Sequence, residues 1–176
     1  MLCVLGAHAA PHNAAHDELD LLLIQRGVVQ AVVDVGQNVT SQASDLVVNA
    51  MGYLGVPYRR GGTGIQGFDC SGFVQAMYEK TLGLVLPHNA KAQAAATEKI
   101  DKTELQPGDL VFFNTLRRAF SHVGIYIGEG KFIHSPRAGG EVRIEDMRDS
   151  YWVKRFNGAR RVNTDMAKAV SEDSLR

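Results

Sequence analysis

The only cysteine outside the first ten residues lies in the segment GFDCSGFV (67–74), between an acidic residue and a Ser-Gly pair. A thiolate is a strong nucleophile, and the free N–H groups at a helix N-terminus lower the pKa of a thiol placed there. Cys70, Phe73, Val74 and Met77 recur at helical spacing, which predicts that Cys70 opens a helix. The alternative is that Cys70 is packed as a small hydrophobic residue and does not react.

Two of the six histidines lie where they could activate this thiol. The segment 121–137 predicts two strands joined by a turn at residues 128–130. His122 starts the first strand and His134 ends the second, so a tight hairpin can bring the two imidazoles side by side. One histidine can then act as general base while the other orients it. Taken singly, each histidine could equally be an ordinary hydrogen-bonded group.

Periodicity and turn residues predict the elements that must position these side chains. Apolar residues at helical spacing predict a helix over residues 41–55, with its apolar side chains on one face. The glycine-rich segment that follows, residues 56–69, predicts a loop without regular structure. After an Ala-rich polar stretch, further strands are predicted in the segments 105–115, 141–144 and 152–162. Helices followed by strands predict an α+β architecture with an antiparallel sheet.

Composition excludes several classes of protein. The 176 residues suit one domain, and nineteen basic side chains balance nineteen acidic ones. This balance, with an aromatic share of 7%, argues against nucleic-acid binding. The two cysteines form no CxxC pair, so we expect neither a disulfide scaffold nor a zinc site built on paired cysteines. The longest interior apolar block, LLLI at 21–24, is far shorter than the roughly 20 residues of a membrane span.

The first 40 residues are predicted to be a signal-peptide remnant and an N-terminal extension. Their start, MLCVLGAHAA, is apolar, and residues 7–9 have the small-x-small form that signal peptidase cuts. This pattern predicts an exported protein, and the alternative is an ordinary N-terminal segment that carries no export signal. His8, His12 and His16 have the spacing of metal ligands on a helix, but a proline interrupts that helix, so a solvated linker is the preferred interpretation.

Six segments of the chain resemble the NlpC-type cell-wall peptidases, which are circularly permuted relatives of papain-like cysteine proteases. In the order of that family they are GVPYRRGG, GFDCSGFV, LQPGDLVFF, SHVGIYIG, KFIHSPRAGG and YWVKRFNGARRV, and they lie within residues 44–162. The resemblance implies a papain-like α+β fold, with N-terminal helices packed on an antiparallel β-sheet. It implies a peptidase domain over residues 41–162, followed by a polar tail over residues 163–176.

The same resemblance implies a catalytic role for three residues that residue type and spacing had already singled out. Cys70 is expected to be the nucleophile, His122 the base and His134 the third residue, which orients the base. We expect the reaction to proceed through an acyl-enzyme on Cys70, with no metal and no organic cofactor.

Residues near the cysteine acquire further implied roles. Tyr58 matches a family tyrosine that helps to stabilise the oxyanion, with a packing role as its alternative. Asp69 and Ser71 are expected to contact the stem peptide, or only to cap the helix. The chain departs from many relatives in having His88 after Leu-Pro, and in having paired arginines at 59–60 in place of an aromatic-rich segment. We therefore expect some substrate contacts to differ.

The implied substrate is the peptide of bacterial murein, commonly cut between D-γ-glutamate and a diamino acid such as meso-diaminopimelate. The predicted function is that of a periplasmic or extracellular bacterial endopeptidase that acts on peptidoglycan stem peptides. Two alternatives stay open: an acyltransferase or amidase with another substrate, and a non-catalytic domain that binds wall peptides and regulates another hydrolase. Two further hypotheses are a regulatory or wall-targeting protein partner, and a site covered by residues 17–40.

Overall fold

A computed structural model of the protein describes residues 41–115 and 118–163. The predicted signal-peptide remnant, the extension over residues 17–40 and the histidines at 8, 12 and 16 lie outside these residues, as does most of the predicted tail. In the part of the chain that is described, no helix combines the length and the apolar character that crossing a membrane requires.

Short helices and strands follow one another in the order expected of an α+β fold. In chain order they are α1 (41–51), β1 (Thr63–Gly64), β2 (Gly67–Phe68), α2 (Cys70–Leu82), α3 (Ala90–Ala95), β3 (Glu98–Ile100), a 3-10 turn (Lys102–Glu104), β4 (Leu110–Phe113), β5 (His122–Gly128), β6 (Lys131–His134), β7 (Arg143–Asp146), α4 (Ser150–Val153) and β8 (Phe156–Arg161). The first three helices precede the main sheet along the chain.

Six of these strands form one antiparallel sheet in the order β3-β8-β4-β5-β6-β7. The predicted hairpin over residues 121–137 is confirmed as β5 and β6, with Ile125 opposite Ile133 and Tyr126 opposite Phe132. His122 starts β5 and His134 ends β6, as predicted. The predicted α+β class with an antiparallel sheet is likewise confirmed.

The sheet has an apolar core on each of its faces, because side chains alternate along a strand. Leu110 and Phe112 of β4 belong to the larger cluster, which includes the buried side chains of α1 and α2. Val111 and Phe113 belong to a second cluster with Trp152 of α4. All four β4 side chains are fully buried, so this strand ties the two cores together.

Some predicted elements differ from the structure. The stretch described from the sequence only as Ala-rich and polar contains α3 and β3, and the glycine-rich loop contains the short β1–β2 ribbon. Strand β7 begins two residues later than the predicted segment 141–144, and the first part of the segment 152–162 belongs to α4 and the turn after it. All of these elements are six residues or shorter, which is too short for periodicity to reveal them.

Helix α1 forms where it was predicted, but its buried face is narrower. Leu46 and Ala50 are buried in the larger core. Met51 and Leu54, which were predicted on the same face, are 41% and 46% exposed. The prediction of one continuous apolar face was therefore wrong at its C-terminal end, where turns at residues 52–55 replace the helix.

Candidate active site

Cys70 is the first residue of α2, which confirms the predicted start of this helix. Asp69 caps the helix: one carboxylate oxygen accepts the Gly72 N–H at 2.7 Å, and the other accepts the Gly61 N–H at 2.9 Å. The first bond satisfies the N–H of Gly72, a backbone donor that the first turn of a helix leaves free, and the second ties the loop before the helix to the same carboxylate. The cap therefore fixes the position of the thiol relative to the loop before it.

The glycine-rich loop packs directly on this first turn of α2. A Cβ added to Gly72 would lie 2.1 Å from the backbone oxygen of Gly62 and 2.9 Å from Nε2 of His88. Both distances are shorter than any real carbon contact, and a backbone oxygen cannot rotate away. Only glycine therefore allows the loop to approach the helix this closely.

We expect Gly72→Ala to destabilise the protein by about 3 kcal/mol, because the loop or the helix end must shift to admit a methyl group. Urea unfolding at equilibrium measures this change. Gly64→Ala is the matched control, since its Cβ would meet nothing within 4 Å, and we expect an effect below about 0.5 kcal/mol. Equal stabilities for the two variants would contradict the close approach.

The hairpin brings the two predicted histidines into direct contact. Nε2 of His122 lies 2.6 Å from Nδ1 of His134, and the exposed fractions of the two residues are 2% and 0%. Continuing the β5–β6 register places Gly124 opposite His134. A Cβ at Gly124 would lie 3.1 Å from the Cβ of His134 and 2.7 Å from a ring carbon of Phe132. The absence of a side chain at Gly124 thus makes room for the histidine pair.

Trp152 of α4 holds both imidazoles from one side. Its ring stacks on that of His122, with centroids 5.7 Å apart and planes inclined by 23°. It meets the ring of His134 edge-on at 5.2 Å. The sequence pattern predicts a strand at Trp152 and indicates no role for it. The one available signal is that Trp152 is the only tryptophan of the chain.

Cys70, His122 and Tyr58 line one open cavity of about 880 Å³. The backbone N–H of Val123, the residue after His122, lies near enough to the thiol to lower its pKa. The cysteine, the base and the tyrosine predicted from the sequence are therefore brought together at the wall of one cavity, although they come from three separate segments of the chain.

Asp69 and Ser71 are not among the residues that line this cavity. Ser71 is 7% exposed and donates its hydroxyl to Asp69 at 3.2 Å. Asp69 also lies 3.1 Å from Nε2 of His88. These contacts fit the capping alternative, and contact of either residue with the stem peptide stays a prediction.

The buried setting reverses the pKa shift that the sequence predicted for the thiol. Burial, followed by repulsion from the Asp69 carboxylate, raises the pKa of Cys70 to about 11, against the lowering effect of the N–H groups of Val123 and Ser71. Burial and the neighbouring His134 hold the pKa of His122 well below its usual value. At neutral pH the resting pair is therefore a thiol and a neutral imidazole, which is ready to accept a proton.

This charge state predicts how the thiol reacts with iodoacetamide. We expect the alkylation rate of Cys70 to rise about tenfold per pH unit from pH 7 to pH 9, because the thiolate fraction rises in that proportion below a pKa near 11. The measurement uses a Cys3→Ser background, which leaves Cys70 as the only thiol. A rate that stays constant between pH 6 and pH 8 would instead indicate a preformed thiolate–imidazolium pair.

Glu145 of β7 is a neighbour of the histidine pair that no sequence pattern indicated. Its Oε2 lies 3.5 Å from Nε2 of His134, and its Oε1 accepts a hydrogen bond from Nε of Arg143 at 2.6 Å. Burial disfavours the charge of Glu145, but His134 and Arg143 together hold its pKa down at about 2. Its carboxylate is therefore ionised at neutral pH.

A site for a metal ion was not expected from the sequence. Across residues 41–115 and 118–163, no three or more His, Cys, Asp or Glu side chains are grouped so that they could hold one. The two buried imidazoles instead contact each other, the Trp152 ring and the Glu145 carboxylate.

The NlpC/P60 family model matches residues 55–161, more than half of the chain. The chain is 43% identical to gamma-DL-glutamyl hydrolase of Bacillus subtilis over 118 residues, which are 66% of this chain and 28% of that protein. It is 37% identical to murein DD-endopeptidase MepS/murein LD-carboxypeptidase of Escherichia coli K12 over 161 residues, 90% of this chain and 76% of that protein.

A solved structure gives the same result at the level of the fold. The crystal structure of an NlpC/P60 family protein from Bacillus cereus superposes with a TM-score of 0.63 and 40% identity, over 68% of this chain and 39% of that one. The chain thus spans well under two thirds of the length of the two Bacillus proteins. It spans about three quarters of the length of the E. coli protein. The matched range includes the cysteine, both histidines and the cavity tyrosine, and on these grounds the chain belongs to the NlpC/P60 family.

Proposed function

We propose that this protein is a peptidoglycan endopeptidase that cleaves the stem peptides of bacterial murein with Cys70 as nucleophile. The observation that carries the proposal is the placement of Cys70 and His122 on the wall of one open cavity, with His134 in contact with His122. Relatives named as a murein endopeptidase and as a γ-glutamyl hydrolase support this substrate class. The bond we propose is the amide between D-γ-glutamate and the diamino acid.

The proposed reaction has two steps that share one base. The sulfur of Cys70 attacks the amide carbon while His122 accepts the thiol proton. The C–N bond then breaks, His122 returns that proton to the departing amine, and the acyl group stays on sulfur as a thioester. Water attacks the thioester with His122 again as base, which releases the carboxylic acid and restores the thiol.

We assign stabilisation of the oxyanion to Tyr58 together with the backbone N–H groups around Cys70. Tyr58 lines the cavity with Cys70. Burial, and then the neighbouring Cys70 and Asp69, raise the pKa of Tyr58. Its hydroxyl therefore stays protonated and can donate a hydrogen bond to an oxygen that becomes negative in the transition state.

We further propose that the peptidase domain spans residues 41–162 and that the protein acts outside the cytoplasmic membrane, where murein lies. The match of residues 55–161 to the family supports the C-terminal bound of the domain, and the position of α1 in the larger core supports the N-terminal bound. The small-x-small pattern at residues 7–9 supports export.

Mass spectrometry of purified muropeptides tests the proposal. After incubation with the protein, we expect new fragments whose masses place the cut after D-γ-glutamate. The Cys70→Ala protein, shown to be folded by circular dichroism, is the control and should give none. A folded wild-type protein that leaves all muropeptides intact would contradict the proposed function.

A further inference from the structure

The buried His134 faces an acidic partner on the side away from His122. Its Nε2 atom is buried and makes no hydrogen bond of good geometry within the described residues, while Oε2 of Glu145 lies 3.5 Å away. A buried N–H without an acceptor costs free energy, so this atom needs the carboxylate. Glu145 is in turn held by two contacts with Arg143.

Two tautomeric arrangements can satisfy the short contact between the two histidines. In the first, His134 is protonated on Nε2 and accepts at Nδ1 the N–H of His122 Nε2, so Nδ1 of His122 is unprotonated. In the second, His134 is protonated on Nδ1 and donates to His122 Nε2, so His122 carries its proton on Nδ1. Only the first arrangement leaves His122 a free ring nitrogen that can take a proton.

The charge on Glu145 selects the first arrangement. An ionised carboxylate only accepts hydrogen bonds, so it favours a proton on Nε2 of His134. Burial lowers the pKa of His134, which keeps that ring neutral and its Nδ1 available as an acceptor. The charged and titratable groups around His134 are His122 on β5 and Glu145 with Arg143 on β7, while α4 contributes the neutral ring of Trp152.

We propose that Glu145 is a positioning residue that fixes the tautomer of His134 and, through it, leaves one nitrogen of His122 free to act as the base. The expected effect of Glu145 on the reaction rate rests on the proposed endopeptidase function. The expected effect of Glu145 on the histidine tautomers rests only on the contacts among β5, β6 and β7. Partners that orient a functional histidine in this way affect activity by about 10- to 100-fold.

Glu145→Leu removes the acceptor while keeping a side chain of similar length. Although Glu145 also lines the cavity, its proposed effect is on the base and not on binding. We therefore expect kcat for muropeptide cleavage to fall about 10- to 100-fold with KM changed less than about twofold. Glu129→Gln is the control, since Glu129 is 89% exposed on the β5–β6 turn, and it should keep the wild-type kcat. Glu145→Gln, which keeps an acceptor oxygen, should lose less activity than the leucine variant.

Nitrogen NMR of ¹⁵N-histidine-labelled protein reads the tautomers without any substrate. In the wild-type protein we expect both His122 and His134 to carry their proton on Nε2, and in Glu145→Leu we expect His122 to shift toward the Nδ1–H form. If the leucine variant does not fold, the glutamine variant is read in the same way and should show a smaller shift in the same direction.

Two results would overturn the inference: a wild-type His122 protonated on Nδ1, or unchanged tautomers in a folded variant, whatever its activity. A protein that cleaves no muropeptide but shows the expected tautomer shift would refute the proposed function alone. The two proposals can therefore fail separately.

Discussion

Replacement of Cys70 by serine is expected to lower the rate of muropeptide cleavage by about four orders of magnitude, because a hydroxyl is a far weaker nucleophile than the thiol for which the site is arranged. The substitution exchanges sulfur for a smaller oxygen and leaves the Asp69 cap and the histidine pair in place. The fold should therefore survive. Initial rates with a purified muropeptide, followed by chromatography, measure the effect.

The second cysteine provides the matched control for this experiment. Cys3→Ser makes the same chemical change outside the residues to which a catalytic role is assigned, and it should keep the wild-type rate. A Cys70→Ser protein that retains more than about a tenth of that rate would show that the acyl group is not carried by this sulfur. The proposed mechanism would then be wrong even if muropeptides are cleaved.

Cys70, His122 and His134 were predictable because local sequence marks each of them, whereas Tyr58 was indicated only by the resemblance to the family. The apolar spacing after Cys70 signals a helix that starts at the cysteine, and the glycines around residues 128–130 signal a tight turn. A tight turn fixes which strand ends become neighbours, so the approach of His122 and His134 followed from the turn alone.

The residues of the site that no sequence pattern indicated, Glu145 and Trp152, depend on contacts between segments that are distant along the chain. Glu145 lies eleven positions after His134 and reaches it only because β7 pairs with β6, which no local pattern signals. Trp152 stands on a helix of four residues, too short for a periodic pattern. Its contact with His122 follows from how the chain returns over the sheet.

The shift in the pKa of Cys70 could not be predicted from the sequence for a related reason. A helix N-terminus is visible as a local pattern, and its effect on a thiol is to lower the pKa. Burial depends on what the rest of the chain places over the residue, and here burial and the Asp69 charge outweigh the N–H groups. The sign of the shift is thus a tertiary property, while the place of the thiol is a local one.

A resting pair of thiol and neutral imidazole makes His122 indispensable, because the proton must leave sulfur during the attack. We therefore expect His122→Gln to lower kcat by about three orders of magnitude. Glutamine fills most of the space of the 2%-exposed histidine and can still donate a hydrogen bond to His134, but it cannot accept the thiol proton. Steady-state kinetics on muropeptides, with thermal unfolding to verify the fold, measure the change.

The pH dependence of that variant separates loss of the base from loss of structure. Without an internal base the reaction must wait for solvent to ionise Cys70, so the residual rate should rise about tenfold per pH unit between pH 7 and pH 9.

The double variant Cys70→Ser/His122→Gln should be no slower than the slower single variant, since a nucleophile and its base act as one unit. A glutamine variant with wild-type kcat would place the base elsewhere. Multiplied losses in the double variant would instead show that the two residues act independently.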